Sequence, residues 1–333
     1  MPREFELLER LRPLLAGDGP GIPLGVGDDA AIVEVGGASV AFATDAVVDG
    51  VHFDRAVSSV EDVGWKAIAV NVSDLAAVGA RPVAALVALH LPRATTDETV
   101  DGLYRGLRAA GDRWDTALVG GDVVISPVLT LTVSVVGEVG PGGGLRRDGA
   151  RPGDELVLVG RLGLAAAGLA LHRAGATDEL ERHPELLAAH RRPEALVDAG
   201  LALAAAGATA CIDVSDGLGR DAGHLARRSA VRITIREAAL PDEPGVAAAA
   251  AELGRDDLMI AGGDDYALLA TVGSDRRDGL RERLHTIGHR ADVIGEVAAG
   301  DGVRVVRRDG STVAGEELGW EHVGSESSDG GPT

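Results

Sequence analysis

EDVGWKAIAVNVSDLAAVGARPVAALVALHL, residues 61–91, is the stretch on which the reading of this chain turns. Residues 61–78 predict one long helix, opened by acidic Glu61 and Asp62 and stopped by Gly79 and Pro82. Residues 83–91, VAALVALHL, predict a strand. Ile68, Val70, Val72 and Leu75 make the helix largely apolar, yet Asn71 and Asp74, three residues apart, share one of its faces. Polar groups buried there are costly unless a ligand or a partner satisfies them. Metal ligation is the preferred explanation; a hydrogen bond to a neighbouring loop is the alternative.

The alternation of helix and strand continues on both sides. Upstream, Phe5, Leu8, Leu11 and Leu15 give residues 4–15 helical spacing, and VAFATDAV at 40–47 alternates like a half-buried strand. Downstream, 95–114 predicts a helix, while 116–122 and 129–139 predict strands. A turn-rich segment at 140–154 reads as a boundary, dividing the chain into units at 1–148 and 149–323 and a tail at 324–333 of disordered composition. The second unit predicts strands at 155–160, 209–214, 231–235, 266–272 and 291–297. Helices are expected at 163–173, 194–206, 217–228, 246–253 and 275–287. Such alternation indicates an α/β or α+β fold with two domains.

Composition narrows the function classes. A formal charge of −20 disfavours nucleic acid and anionic membranes as partners, and repels phosphorylated ligands unless cations intervene. No run approaches a membrane span, no apolar leader opens the chain, and the single cysteine, Cys211, suits a reducing compartment; a cytoplasmic protein is expected. The one lysine, Lys66, lies in GWKAIAV, which is not the lysine-bearing phosphate loop of many nucleotide-binding proteins.

Aspartates beside glycine, serine or threonine recur in GVGDDAA (25–31), ATDAVVDGVHF (43–53), NVSDLAA (71–77), VGGDVV (119–124), CIDVSDG (211–217) and GGDDYALLAT (262–271). Singly, each reads as a turn or a cap. Together, isolated carboxylates on several strand-end loops suit several magnesium ions around a polyphosphate, because magnesium takes few carboxylates and completes its shell with phosphate and water.

GVGDDAAIV, ATDAVVDGVHF, WKAIAVNVSDLAAVGARP, GGDVV, CIDVSDGL and GGDDYALL, in this order and spacing, resemble thiamine-monophosphate kinase, in the superfamily named after aminoimidazole ribonucleotide synthetase. The resemblance spans about residues 4 to 323 and is most specific in NVSDLAAVGARP and IDVSDGL. It implies an N-terminal sheet that pairs across a homodimer, a C-terminal α/β domain, and ATP-dependent phosphorylation of thiamine monophosphate to thiamine diphosphate. By that resemblance Asp29, Thr44, Asp45, Asp74, Asp122 and Asp213 would hold magnesium ions, with Asp216 at a further one. Gly121, Asp122, Arg147 and Ser215 would contact ATP, and His52, Asp264 and Trp320 the thiamine phosphate. Asp45, Asp74, Asp122 and Arg147 would form the catalytic set.

Two departures from the family pattern bear on this site. Ala43 replaces the usual serine, leaving a backbone carbonyl as its possible metal ligand, and Asp264 stands one methylene shorter than the usual glutamate. The acceptor being an ionised phosphate, no side chain is expected to act as general base. The strand LTLTVSVV, 129–136, read as an open edge, calls for cover and so for the homodimer. Selenophosphate synthetase would need a reactive residue near the N-terminus, and the hydrogenase-maturation relative a C-terminal cysteine; the sequence has neither. An aminoimidazole ribonucleotide synthetase-like enzyme and a non-catalytic magnesium–nucleotide sensor are the alternatives.

Overall fold

The computed structural model describes residues 7, 10–15, 17–316, 318 and 319. Helix α1, Val60–Ala77, starts at Ser59, whose hydroxyl accepts the Asp62 N–H while the Asp62 carboxylate accepts the Ser59 N–H. This reciprocal cap satisfies two donors that a helix start leaves orphaned. Past Ala77, Gly79 adopts a φ of +67° and turns the chain directly into β3, Ala80–Leu91. Nearly every side of α1 is buried, polar Lys66, Asn71 and Ser73 included, because it lies between two sheets.

The first sheet has the order β1 (Ala31–Val35), β2 (Ala38–Val48), β5 (Thr130–Val139), β3, β4 (Ala117–Ile125). Its pairings are antiparallel except β3–β4, whose parallel register requires a crossover; helix α2, Asp97–Arg113, supplies it and packs on α1. The two helices approach so closely that a Cβ at Gly64 would stand 2.1 Å from the Leu103 carbonyl oxygen, and one at Gly106 1.9 Å from that of Glu61.

The second sheet runs β12 (Thr312–Ala314), β11 (Val303–Val306), β8 (Arg232–Arg236), β10 (Ala291–Ala298), β6 (Asp154–Val159), β9 (Ala267–Gly273), β7 (Ala210–Val214). With it go helices α3 (Leu164–Ala174), α4 (Thr177–Arg182), α5 (Pro184–Arg191), α6 (Val197–Ala206), α7 (Leu218–Ser229), α8 (Pro244–Leu253), α9 (Leu258–Ala261) and α10 (Arg277–Thr286). One apolar core joins the halves, running from Val133 and Val135 through Leu75 and Ala76 of α1 to Leu268 and Ala270. Two tryptophans fasten the segment after α5 to the first half: Trp65 Nε1 donates to the Pro193 carbonyl at 2.9 Å and Trp114 Nε1 to that of Ala195 at 3.0 Å.

The mixed α/β architecture agrees with the alternation in the sequence, and the departures have physical causes. LTLTVSVV is no edge: β5 pairs with β2 on one side and β3 on the other, so its threonines and serine face outward across a sheet. The open edges are β1 and β4, and β4 is exposed along almost its whole length. Strands β1, β11 and β12 and helices α4 and α5 are too short, or too polar, to show a period in sequence. Of the helix expected at 4–15, most residues lie outside those described; Arg12–Leu14 form a 3-10 turn started at Pro13. Trp320 and the tail also lie outside the described residues. No helix among those described is long and apolar enough to cross a membrane.

Gly106→Ala should lower the stability of the folded chain by about 1–3 kcal/mol, the usual cost of overpacking. Gly140→Ala, where a Cβ meets nothing within 4 Å, is the control and should stay within about 0.5 kcal/mol of wild type in denaturant unfolding.

Candidate active site

Three segments converge at the junction of the two sheets. Asp29 comes from the loop before β1, Asp74 from the last turn of α1 and Asp213 from β7; their ligand oxygens all lie within 4.8 Å of one another. Arg147, from the connection between the sheets, donates to Asp29 through Nη2 at 2.6 Å and Nε at 3.1 Å. Its guanidinium is therefore drawn into the group, whereas Arg146 turns away to Asp18 and Asp148. The Arg147 backbone N–H donates to Asp28 Oδ1 at 2.8 Å, leaving Asp28 Oδ2 buried without a hydrogen-bond partner.

Burial and like charge dominate the electrostatics. Burial, then the charges of Asp45, Asp213 and Asp29, push the Asp74 carboxyl well above the usual range. Burial and Asp29 do the same to Asp213, against the Ser73 hydroxyl that donates to its Oδ2 at 2.5 Å. Burial and Asp29 raise Asp28 to about 7. For Arg147, burial opposes the charge, but Asp29, Asp28 and Asp213 outweigh it and hold the guanidinium protonated. Oxygen donors gathered from separate segments, with more negative charge than one guanidinium can offset, fit a divalent cation.

Asn71 makes the structural hydrogen bonds that are the alternative reading of its burial. Its Oδ1 accepts the Asp45 N–H at 2.8 Å and its Nδ2 donates to the Ala67 carbonyl at 2.9 Å, so it fixes β2 against α1. Asp45 is thereby placed beside the carboxylate group, with its own charge acting on Asp74.

Next to this group, Ser215 and Asp216 follow β7. Asp216, Asp221 and His224 form a second set of potential ligand atoms within 4.8 Å of one another. Asp221 also caps α7, its Oδ2 accepting the N–H groups of Asp216 and Gly217 at 3.1 Å each. Burial, followed by the charges of Arg147, Arg227 and Arg220, lowers the His224 imidazole's affinity for a proton and keeps it neutral. Asp264 lies alongside: its N–H donates to the Ser215 carbonyl at 2.8 Å. Its neighbour Asp265 has a separate task, accepting the Gly163 N–H at 2.7 Å at the start of α3. His52, half-buried, accepts the Val48 N–H at Nδ1, 3.1 Å away; the neutral ring therefore carries its hydrogen on Nε2.

Not every expected residue joins these groups. The Thr44 hydroxyl bonds across the sheet to the Val133 carbonyl at 2.9 Å and to Ser134 Oγ at 3.0 Å, because strand alternation sends it to the face opposite Asp45. Ala43 points into the core. Asp122 stands on β4, with Gly121 opposite Val87 and Asp45 opposite Val133, so three inter-strand spacings, about 14 Å, separate it from the Asp45 strand. Gly121 and Asp122 instead line a cleft of about 600 Å³ with Tyr104, Leu118, Val119 and Gly120. A Cβ at Gly121 would lie 1.8 Å from the Val87 carbonyl oxygen, which explains the glycine.

Sequence reasoning passed over Asp28, Asp221, His224, His190, Tyr266 and Tyr104. Asp28 and Tyr266 stood inside motifs already singled out, and Asp221 and His224 share a helix face three residues apart. No signal marked His190.

The AIR synthase related protein N-terminal domain matches residues 27–139 and the corresponding C-terminal domain residues 151–308. The thiamine-monophosphate kinase of Corynebacterium glutamicum is 38% identical over 263 residues, covering 77% of this chain and 79% of the relative. This chain belongs to the thiamine-monophosphate kinase family. Among solved structures, AaThiL complexed with AMPPCP and TMP is 35% identical with a TM-score of 0.83, over 96% of this chain and 97% of that one. The family enzyme from Stenotrophomonas maltophilia K279a is 39% identical with a TM-score of 0.75, over 93% and 98%. Hydrogenase maturation proteins at 20–24% identity share the fold.

The raised carboxyl pKa values set a sign for stability. Folding makes Asp28, Asp74 and Asp213 bind protons more tightly, so their contribution is fully present below the ordinary aspartate pKa and is lost as the pH rises through each group's raised folded value, about 7 for Asp28. Without divalent cations at neutral pH, Asp74→Asn should therefore melt at a higher temperature than wild type. It should also gain less from millimolar magnesium, as thermal unfolding with and without the ion will show.

Proposed function

We propose that this chain is an ATP-dependent thiamine-monophosphate kinase. A phosphate oxygen of thiamine monophosphate attacks the γ-phosphorus of ATP, the bond to the β–γ bridging oxygen breaks, and thiamine diphosphate and ADP leave. The convergence of Asp29, Asp74 and Asp213 beside Arg147 is the observation that carries this reading. Membership of the family and the likeness to AaThiL complexed with AMPPCP and TMP support the choice of substrates. On this reading Asp29, Asp74 and Asp213, with Asp45 beside them, would hold magnesium, and Asp216 a further ion; Asp221 and His224 offer that ion additional donors. Magnesium, when bound, would neutralise phosphate charge that this acidic chain repels.

The protein's own groups then have distinct tasks. Arg147 adds a half-buried positive charge where the transferred group gathers negative charge. His52 presents an Nε2–H, a donor to a phosphate oxygen and not a proton acceptor, in keeping with a nucleophile that is already ionised. Ser215 sits next to this group, and the cleft of Tyr104, Gly121 and Asp122 is large enough for a nucleoside.

We further propose that residues 1–148 form the nucleotide and dimer half, residues 149–323 the second half, and that the enzyme is a cytoplasmic homodimer. The buried, unpaired thiol of Cys211 suits a reducing compartment. Phe42, Val83 and Leu86, each at least 42% exposed on the outer face of the first sheet, give a second copy an apolar surface to cover. Sedimentation should find a species of twice 33.9 kDa, reduced to the monomer by Leu86→Glu; a wild-type monomer at micromolar concentration would overturn the dimer.

Incubation with ATP, magnesium and thiamine monophosphate should yield ADP and thiamine diphosphate in equal amounts. Asp74→Asn should slow turnover by at least ~10²-fold. His52→Gln should raise the KM for the acceptor more than it lowers the single-turnover rate. Binding of ATP without product, or an ~10³-fold slower chemical step in His52→Gln at unchanged binding, the signature of a lost general base, contradicts the reading.

A further inference from the structure

Lys66, the sole lysine of an arginine-based chain, is only 2% exposed. A buried ammonium is costly unless paired, and this one spans the two halves of the molecule. Its Nζ donates to the His52 carbonyl oxygen at 2.9 Å and to Asp264 Oδ2 at 2.7 Å. The carboxylate it meets is held from three sides. His190 Nδ1 donates to the same Oδ2 at 3.1 Å and the Tyr266 hydroxyl donates to Oδ1 at 3.0 Å. Both Asp264 and Tyr266 sit at positive φ, +68° and +52°, a backbone that non-glycine residues keep only where the surroundings enforce it. Burial opposes ionisation of Asp264, but Lys66 and His190 outweigh it and keep its carboxyl well below the usual range.

Despite these partners, the Asp264 side chain remains 31% exposed, and its backbone N–H ties the residue to Ser215. A single ammonium thus sets the spacing between the His52 segment, from the first half, and Asp264, from the second. A guanidinium, a planar fork on a longer stem, would not place one point charge between a carbonyl and a carboxylate in this way.

We propose that Lys66 is a positioning residue for the acceptor substrate: acting through Asp264 and the His52 backbone, it fixes a phosphate-binding and a cation-binding segment relative to each other. The inference rests on the kinase reading above, in which His52 meets the acceptor phosphate, and it places Asp264 against the cationic thiazolium.

Steady-state kinetics with both substrates test it. Lys66→Met should raise the KM for thiamine monophosphate at least ~10-fold, as expected on losing a charge-assisted hydrogen bond, while the KM for ATP stays within ~3-fold. Lys66→Arg should recover part of the loss, and Lys66→Met should add little to Asp264→Asn in the double variant. An unchanged acceptor KM, equal rises in both KM values, or full additivity with Asp264→Asn would make Lys66 merely structural, whatever the melting temperature does. If Lys66→Met does not fold, Tyr266→Phe decides: a rise of ~3-fold or more in acceptor KM alone supports the proposal, and no rise overturns it. Absence of product from the wild-type enzyme defeats the kinase reading itself, whereas wild-type turnover with flat variants defeats only the role of Lys66.

Discussion

A helix buried on nearly all sides cannot leave a polar side chain without a partner, and the organisation of this protein follows from how α1 meets that demand. Lys66 reaches the His52 segment and Asp264, Asn71 ties down Asp45, Ser73 binds Asp213, and Asp74 joins Asp29 and Asp213. Each partner lies on a different segment. Satisfying one helix therefore places β2, β7 and the 262–266 loop relative to one another, and the same hydrogen bonds that settle the core assemble the site.

The assembled group is under electrostatic tension. Carboxylates at close range in a buried setting repel, and Arg147 offsets only part of that charge. The chain thus keeps, at its centre, a concentration of negative charge at the expense of its own stability, a common trade where function needs charge where folding does not. The surface charge of −20 acts in the same direction, since a polyanion approaches such a protein only with cations in company.

The first sheet shows the opposite economy. Its inner face packs on α1 and holds Asp45, while its outer face keeps Phe42 and Leu86 open. Strand alternation alone separates the two tasks, which is why Thr44, one residue from Asp45, bonds to Val133 and Ser134 and not to the carboxylate group.

The sequence by itself determined the α/β alternation, helix α1 with its stops, the aspartate-bearing loops and the family, because periodicity, caps and motif spacing are local properties legible in a linear string. Asp29, Asp74 and Asp213 were visible as candidates for the same reason. Tertiary structure alone decided which candidates meet: that Asn71 supports Asp45, that Asp122 stands three strands away, and that β5 is central and not an edge. It also decided that Lys66 and the unremarked His190, far apart in sequence, converge on Asp264. Pairing of strands and closure of one half on the other are long-range events, set by which buried polar groups can satisfy each other, and no window of local sequence contains both members of such a pair.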